Sequence, residues 1–268
     1  MNIFRAERNL RGLGAVTAGF LLLLLPGAFA APPELPVQSF GPGEVRLLDG
    51  PFRHAQDLDA AYLLSLEPDR LLAGFRKEAG LPAKAESYGG WERQGVAGHS
   101  AGHYLSACAY MAKAAGDARF CERAAYMVDE LAACQQANGN GYVAAIPGGK
   151  AVFENVARGE IASQGFDLNG SWVPWYTLHK LFAGLRDTYR LCGNKKALAV
   201  ARGLADFAAD TTKKLTDEQW QTMLACEHGG MNEVLADLAA DTDEAKYLDL
   251  ARKFYHRAVL DPLAGGRD

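Results

Sequence analysis

Three short stretches carry the side chains best suited to chemistry. The first, around GHSAGHYLSACAYM, offers Trp91, Glu92, His99 and His103. The second, WVPWYTLHKLFAGL, offers Trp172, Trp175, Tyr176 and His179. The third, EHGGMNEVLADLAADTDEAKYL, offers His228, Asn232 and Glu233. A neutral imidazole both donates and accepts a hydrogen bond, and a flat aromatic face stacks on the C–H face of a sugar ring. Such a mixture suits a polyhydroxylated ligand. In the second stretch the i, i+3, i+4, i+7 spacing predicts one stripe of a helix that starts near Ser171 and holds Pro174 in its first turn. Aromatic stripes at that spacing also suit core packing, and both readings stand. His103 is either a ligand hydrogen-bonder at a mouth or a satisfied core histidine, while His99, close to a helix start, reads as structural.

Catalytic constellations are scarcer. His99 and His103 lie one helical turn apart, yet H-S-A-G-H places Ser100 where a zinc protease carries its glutamate. Glycosidases need two carboxyl groups, about 5–5.5 Å apart for retention and about 6.5–9.5 Å for inversion. Glu92, Glu227 and Glu233 are available, and none is set apart from the others. Glu233 follows Gly229-Gly230 in a helical first turn, where it also complements the helix dipole. No G-x-S-x-G elbow, P-loop or dinucleotide fingerprint occurs, which removes hydrolase-fold, nucleotide and Rossmann readings.

The elements that must position these residues read as helices. After Phe52, Ala and Leu abound, Val, Ile and Thr are thin, and apolar residues recur every three or four positions. Three segments, Tyr104 to Leu131, Leu178 to Phe207 and Val234 to Tyr255, each read as helix, break, helix. Their breaks are Gly116-Asp117, Gly193-Asn194 and Asp241-Thr242-Asp243, where Gly ends one helix or Asp/Asn caps the next. The unequal intervals between breaks exclude a strict 34-residue solenoid. Residues 137–171 form a long insertion of the kind that is usually functional. Irregular hairpins with long loops at one end predict an all-α fold, a partial (α/α)6 barrel or helical-hairpin toroid. About seven or eight helices are countable where such a ring has about twelve, so the toroid is expected to be truncated.

The N-terminus sets the context. Arg5, Arg8 and Arg11 precede the apolar run Leu13 to Leu25, which ends in small residues at Ala30: a secretory signal peptide over residues 1–30, with secreted or periplasmic localisation and no membrane contact after cleavage. Residues 31–50 are Pro- and Gly-rich and predict a lead-in strand or extended arm, and residues 51–268 the helical domain. The net charge of −4, with 22% charged and 49% hydrophobic residues, suits a folded globular chain and leaves no basic footprint for nucleic acid. Five cysteines make no disulfide framework. Cys108 and Cys121 could face each other across a hairpin, but packed helix axes about 8–10 Å apart exceed disulfide reach, so buried thiols are expected.

Taken in order behind a signal peptide, the three quoted motifs resemble the N-terminal half of the catalytic domain of glycoside hydrolase family 127 and its close relatives, the β-L-arabinofuranosidases, over about residues 40–268. The resemblance implies an (α/α)6 barrel and removal of β-linked L-arabinofuranose from plant glycans. In the full-length family it implies a zinc-held cysteine nucleophile with a glutamate acid/base in the barrel's second half. No residue here matches those motifs, so no catalytic residue carries over and no cofactor is expected in this chain. What carries over is a sugar pocket of His103, His179, Trp175, Trp172, Tyr176, Trp91, Asn232 and Glu233, with a carbohydrate substrate as partner. A non-catalytic sugar-binding module and another toroid enzyme, such as a polysaccharide lyase, are the alternatives.

Overall fold

The computed structural model describes Val37 and residues 39–267. The expected signal peptide, residues 1–30, lies outside the described residues. Residues 39–50 run as turns and extended chain without a strand, so the lead-in is an arm.

Eleven α-helices follow among the described residues. The first helical stretch is two helices, α1 (Pro51–Ser65) and α2 (Pro68–Glu78), because Pro68 can open a helix but not continue one. After a 3-10 turn at Gly90–Arg93 come α3 (His99–Ala115) and α4 (Ala118–Asn138). Gly116 at φ 71° ends α3, and the Asp117 side chain accepts from the Arg119 N–H to start α4. The same device recurs between α6 (Pro174–Cys192) and α7 (Lys195–Thr212), where Asn194 accepts from the N–H groups of Lys196 and Ala197. Between α9 (Met231–Thr242) and α10 (Ala245–Lys253) the left-handed residue is Asp243. The first two breaks therefore fall where the pattern placed them, and the third comes slightly later, at Asp243-Glu244, because Asp241 and Thr242 still belong to α9.

The insertion is the irregular part of an all-α fold. It contains α5 (Gly149–Ala157) and three two-residue strands, β1 (Ser163–Gln164), β2 (Asp167–Leu168) and β3 (Ser171–Trp172), paired antiparallel in the order β1-β2-β3. Two short helices complete the chain, α8 (Asp217–Leu224) and α11 (Arg257–Ala264).

Helices α3, α6 and α9 stand side by side in one row, and α4, α7 and α10 back them in a second. Ion pairs tie the second row: Lys196 to Asp129 between α7 and α4, and Arg202 to Glu244 at 2.6 Å and Lys246 to Asp206 at 2.7 Å between α7 and α10. Paired helices in two concentric rows are the construction of an α/α toroid. Helices α3 and α6 approach each other backbone to backbone. A Cβ on Gly102 would overlap the Lys180 carbonyl, and one on Gly184 would overlap the Gly102 carbonyl, so the two backbones touch where only glycine fits.

Cysteine pairing corrects the sequence reading. Cys121 at the start of α4 is bonded to Cys192 at the end of α6, with Cα atoms 5.6 Å apart, while Cys108, Cys134 and Cys226 are buried thiols. The bond joins neighbouring hairpins rather than the two arms of one, which is why the spacing argument against Cys108 and Cys121 did not reach it.

Candidate functional site

The α3–α6 seam brings two of the histidines together. His103 is on the first turns of α3 with its side chain open to solvent, and His179 is half-buried on α6. Partial desolvation, then Lys180 and His99, hold the His103 pKa below the usual value. Burial, then Lys180 and His103, pull His179 down to about 4. Both rings are neutral at physiological pH, each with one donor and one acceptor nitrogen. The His179 Nδ1 is buried and has no protein partner. It packs against Gly229, which sits at φ 60° where any Cβ would strike that nitrogen, and Gly230 separates the ring from the Glu233 carboxylate. The Gly-Gly pair thus lets the third hairpin close on the second at this point. Lys180 lies over the Tyr176 ring, its Nζ 4.6 Å from the centroid.

Beside this histidine pair is a cleft of about 210 Å³ lined by Trp91, Val96, His99, Phe166, Trp172, Val173, Tyr176 and Glu227. His99 connects the two regions: its ring lies 5.4 Å from Trp91 and 5.8 Å from His103. Its Nδ1–H donates to the Val96 carbonyl at 2.8 Å, and the almost fully buried Glu92 carboxylate stands 3.8 Å behind it. The other Glu92 oxygen accepts from the Gly98 N–H at 3.0 Å. His99 has the structural role expected of it and is also part of the cleft wall. Val173 adopts the left-handed conformation, φ 40° and ψ 55°, unusual for a β-branched residue and costing about 1–3 kcal/mol. That reversal stops β3 and starts α6, turning Trp172 outward while Tyr176 lines the cleft.

Three sequence expectations need correction. Trp172 is on a strand, not on the α6 stripe, because α6 begins at Pro174 rather than near Ser171. Trp175 is 1% exposed and belongs to the core: it packs edge-on against Phe153 and Phe254, and its indole N–H points at the Met223 sulfur. Asn232 is exposed and its side chain accepts from the Glu233 N–H at 3.0 Å, an end-of-helix contact outside the cleft. Of the named residues, Trp91, Trp172 and Tyr176 line the cleft, His103 and His179 lie beside it, and Glu233 is on the far side of Gly230 from the His179 ring. Phe166, at the β1–β2 turn, was not singled out. It lies in the insertion, where no periodicity marks it, and only the length of that insertion signalled function.

The donor set does not fit the zinc centre that the family resemblance brings with it. Among the described residues no three His, Cys, Asp or Glu side chains converge as metal ligands, and the three thiols are buried in separate elements.

Two rows of hairpins with polar and aromatic residues gathered at one end define an α/α toroid, and comparison with known proteins agrees on the fold. The model of the β-L-arabinofuranosidase GH127 catalytic domain matches residues 44–268, and the chain belongs to that family of glycoside hydrolases. Among solved structures the chain is similar to Ara127N-Se, a GH127 β-L-arabinofuranosidase from Geobacillus stearothermophilus T6, with a TM-score of 0.53 and 17% identity over 83% of this chain. The chain spans 35% of that structure's length. No curated protein matches it.

Proposed function

We propose that this chain is the N-terminal part of an exported glycoside hydrolase domain acting on β-L-arabinofuranosides of plant-type glycans, and that its share of the work is to hold the sugar. The observation that carries this reading is the pair of neutral imidazoles, His103 and His179, set across a seam where two helix backbones touch. The exposed His103 ring can give one hydrogen bond to a sugar hydroxyl and take one from another, while His179, whose Nδ1 is packed against Gly229, offers its Nε2. Rigid spacing fixes which hydroxyls can be reached at once, and that is what separates one furanose from another. Lys180, placed over Tyr176, adds a donor at the same edge. No residue is assigned to bond cleavage, because the chain offers no carboxylate pair that geometry sets apart. The Cys121–Cys192 bond supports export, since structural disulfides persist in oxidising compartments.

Calorimetric titration of the full chain with methyl β-L-arabinofuranoside tests the reading. His103→Ala and His179→Ala should each weaken binding about tenfold, the worth of one hydrogen bond to a buried polar group, with unchanged circular dichroism. Binding that ignores both substitutions would remove the histidines from the site. A chain that is a stable monomer on its own and binds arabinosides without turnover favours the second reading, a non-catalytic sugar-binding module.

A further inference from the structure

Away from the α3–α6 seam a second pair of imidazoles stands face to edge. His228 belongs to the loop between α8 and α9, and His256 immediately precedes the first turn of α11. Their ring centres are 5.9 Å apart and their planes 72° from parallel. Both residues are half-buried, so the pair is shielded yet reachable from solvent.

The chemistry of the two rings is that of ligands. The Cys226 carbonyl, 3.1 Å from His228 Nδ1, can only accept, so in the neutral ring Nδ1 carries the hydrogen and Nε2 the lone pair. A backbone carbonyl behind one nitrogen is the support that metal-ligating histidines commonly have, since it fixes the tautomer and orients the other nitrogen. At His256, burial and then His228 hold the pKa below the usual value, so that ring too is neutral at physiological pH. A divalent ion about 2.1 Å from a ring nitrogen lies about 3.2 Å from the ring centre, so two rings sharing one ion have centres about 5–6.5 Å apart. The pair meets that distance as it stands. Charge permits it as well. Glu227 places an exposed carboxylate next to His228, while Arg252 is paired with Asp249 at 2.9 Å, Lys253 with Asp217 at 3.3 Å, and Arg257 has Glu218 as a neighbour.

We infer that His228 and His256 together bind one divalent transition-metal ion of the kind that prefers imidazole, such as copper, nickel or zinc, with water completing its coordination. Magnesium and calcium, which take oxygen donors, do not suit the site. It is separate from the cysteine and glutamate centre that the family resemblance implies, and the ion takes no part in bond cleavage. Its effect falls on α11. No residue of that helix is buried, and the contacts that seat its start include two from Gln221, which donates to the Tyr255 carbonyl at 3.0 Å and accepts from the Arg257 N–H at 2.9 Å. An ion bridging the two rings ties α11 to the loop whose Gly229 packs against His179.

The experiment titrates the untagged full chain with nickel chloride by calorimetry, with magnesium chloride as the comparison. One nickel ion per chain should bind, and magnesium should give no heat. His228→Gln and His256→Gln should each weaken nickel binding about tenfold or more, one of only two protein ligands being lost, whereas His103→Ala should leave it unchanged. Proton NMR of the unsubstituted chain needs no variant to fold: at sub-stoichiometric nickel the imidazole signals of His228 and His256 should broaden before those of the other four of the six histidines. Nickel should also raise the thermal midpoint of the original chain and leave that of His256→Gln where it was. No nickel uptake by the original chain overturns the inference, as does uptake that survives both glutamine substitutions. Uptake lost with His103→Ala, or broadening that begins at other histidines, places the ion elsewhere and overturns it too.

Discussion

At His179, burial and two neighbouring basic groups act in the same direction, and the ring stays neutral down to a pH of about 4. The unfolded chain takes up a proton nearer 6.5, so as the pH falls between these values the unfolded state gains the proton first and folding loses free energy. His103 adds to the loss with the same sign. Urea unfolding of the full chain should therefore show a midpoint that is flat above the ordinary histidine pKa and declines toward acid, and His179→Gln should reduce the decline. An equally steep decline in that variant would place the acid sensitivity elsewhere. The histidines were legible in the sequence as a recurrent motif, since His103 and His179 each fall in the first two turns of an inner helix. The fate of the tryptophans was not. Spacing put Trp172, Trp175 and Tyr176 on one stripe, but Val173 leaves the right-handed region between them, and the stripe divides into a strand residue, a core residue and a cleft residue.

Among elements, α3 and α6 matter most, because the distance between their histidines is set by backbone contact rather than by side chains. Gly102→Ala would drive a methyl group into the Lys180 carbonyl, one residue from His179. Overpacking of this kind costs typically about 1–3 kcal/mol, and here it also separates the two imidazoles. The expected outcome is a lower unfolding midpoint together with weaker sugar binding, whereas Gly116→Ala, at the solvent-facing end of α3, should lower stability through its left-handed φ and leave affinity alone. Equal loss of affinity in both variants would dissociate the seam from the site. Helix existence and hairpin breaks could be read from caps and periodicity. The seam could not, because a glycine inside a helical pattern announces that something approaches closely without saying what.

Across the whole molecule, the two rows of hairpins are joined covalently at one point, Cys121 to Cys192, closing a loop of 71 residues. The loop-entropy estimate for that length is about 4 kcal/mol, so Cys121→Ser with Cys192→Ser should lower the unfolding free energy by up to that amount. A double variant as stable as the original would mean that the native packing carries the constraint unaided. The pairing was hidden from the sequence because it depends on which hairpins become neighbours, a property of the fold and not of any local spacing. The loop encloses α5, the three short strands and the exposed Phe166 turn. A protease that nicks the chain at that turn would therefore leave two pieces still held together, running as one band on a gel until a reductant separates them.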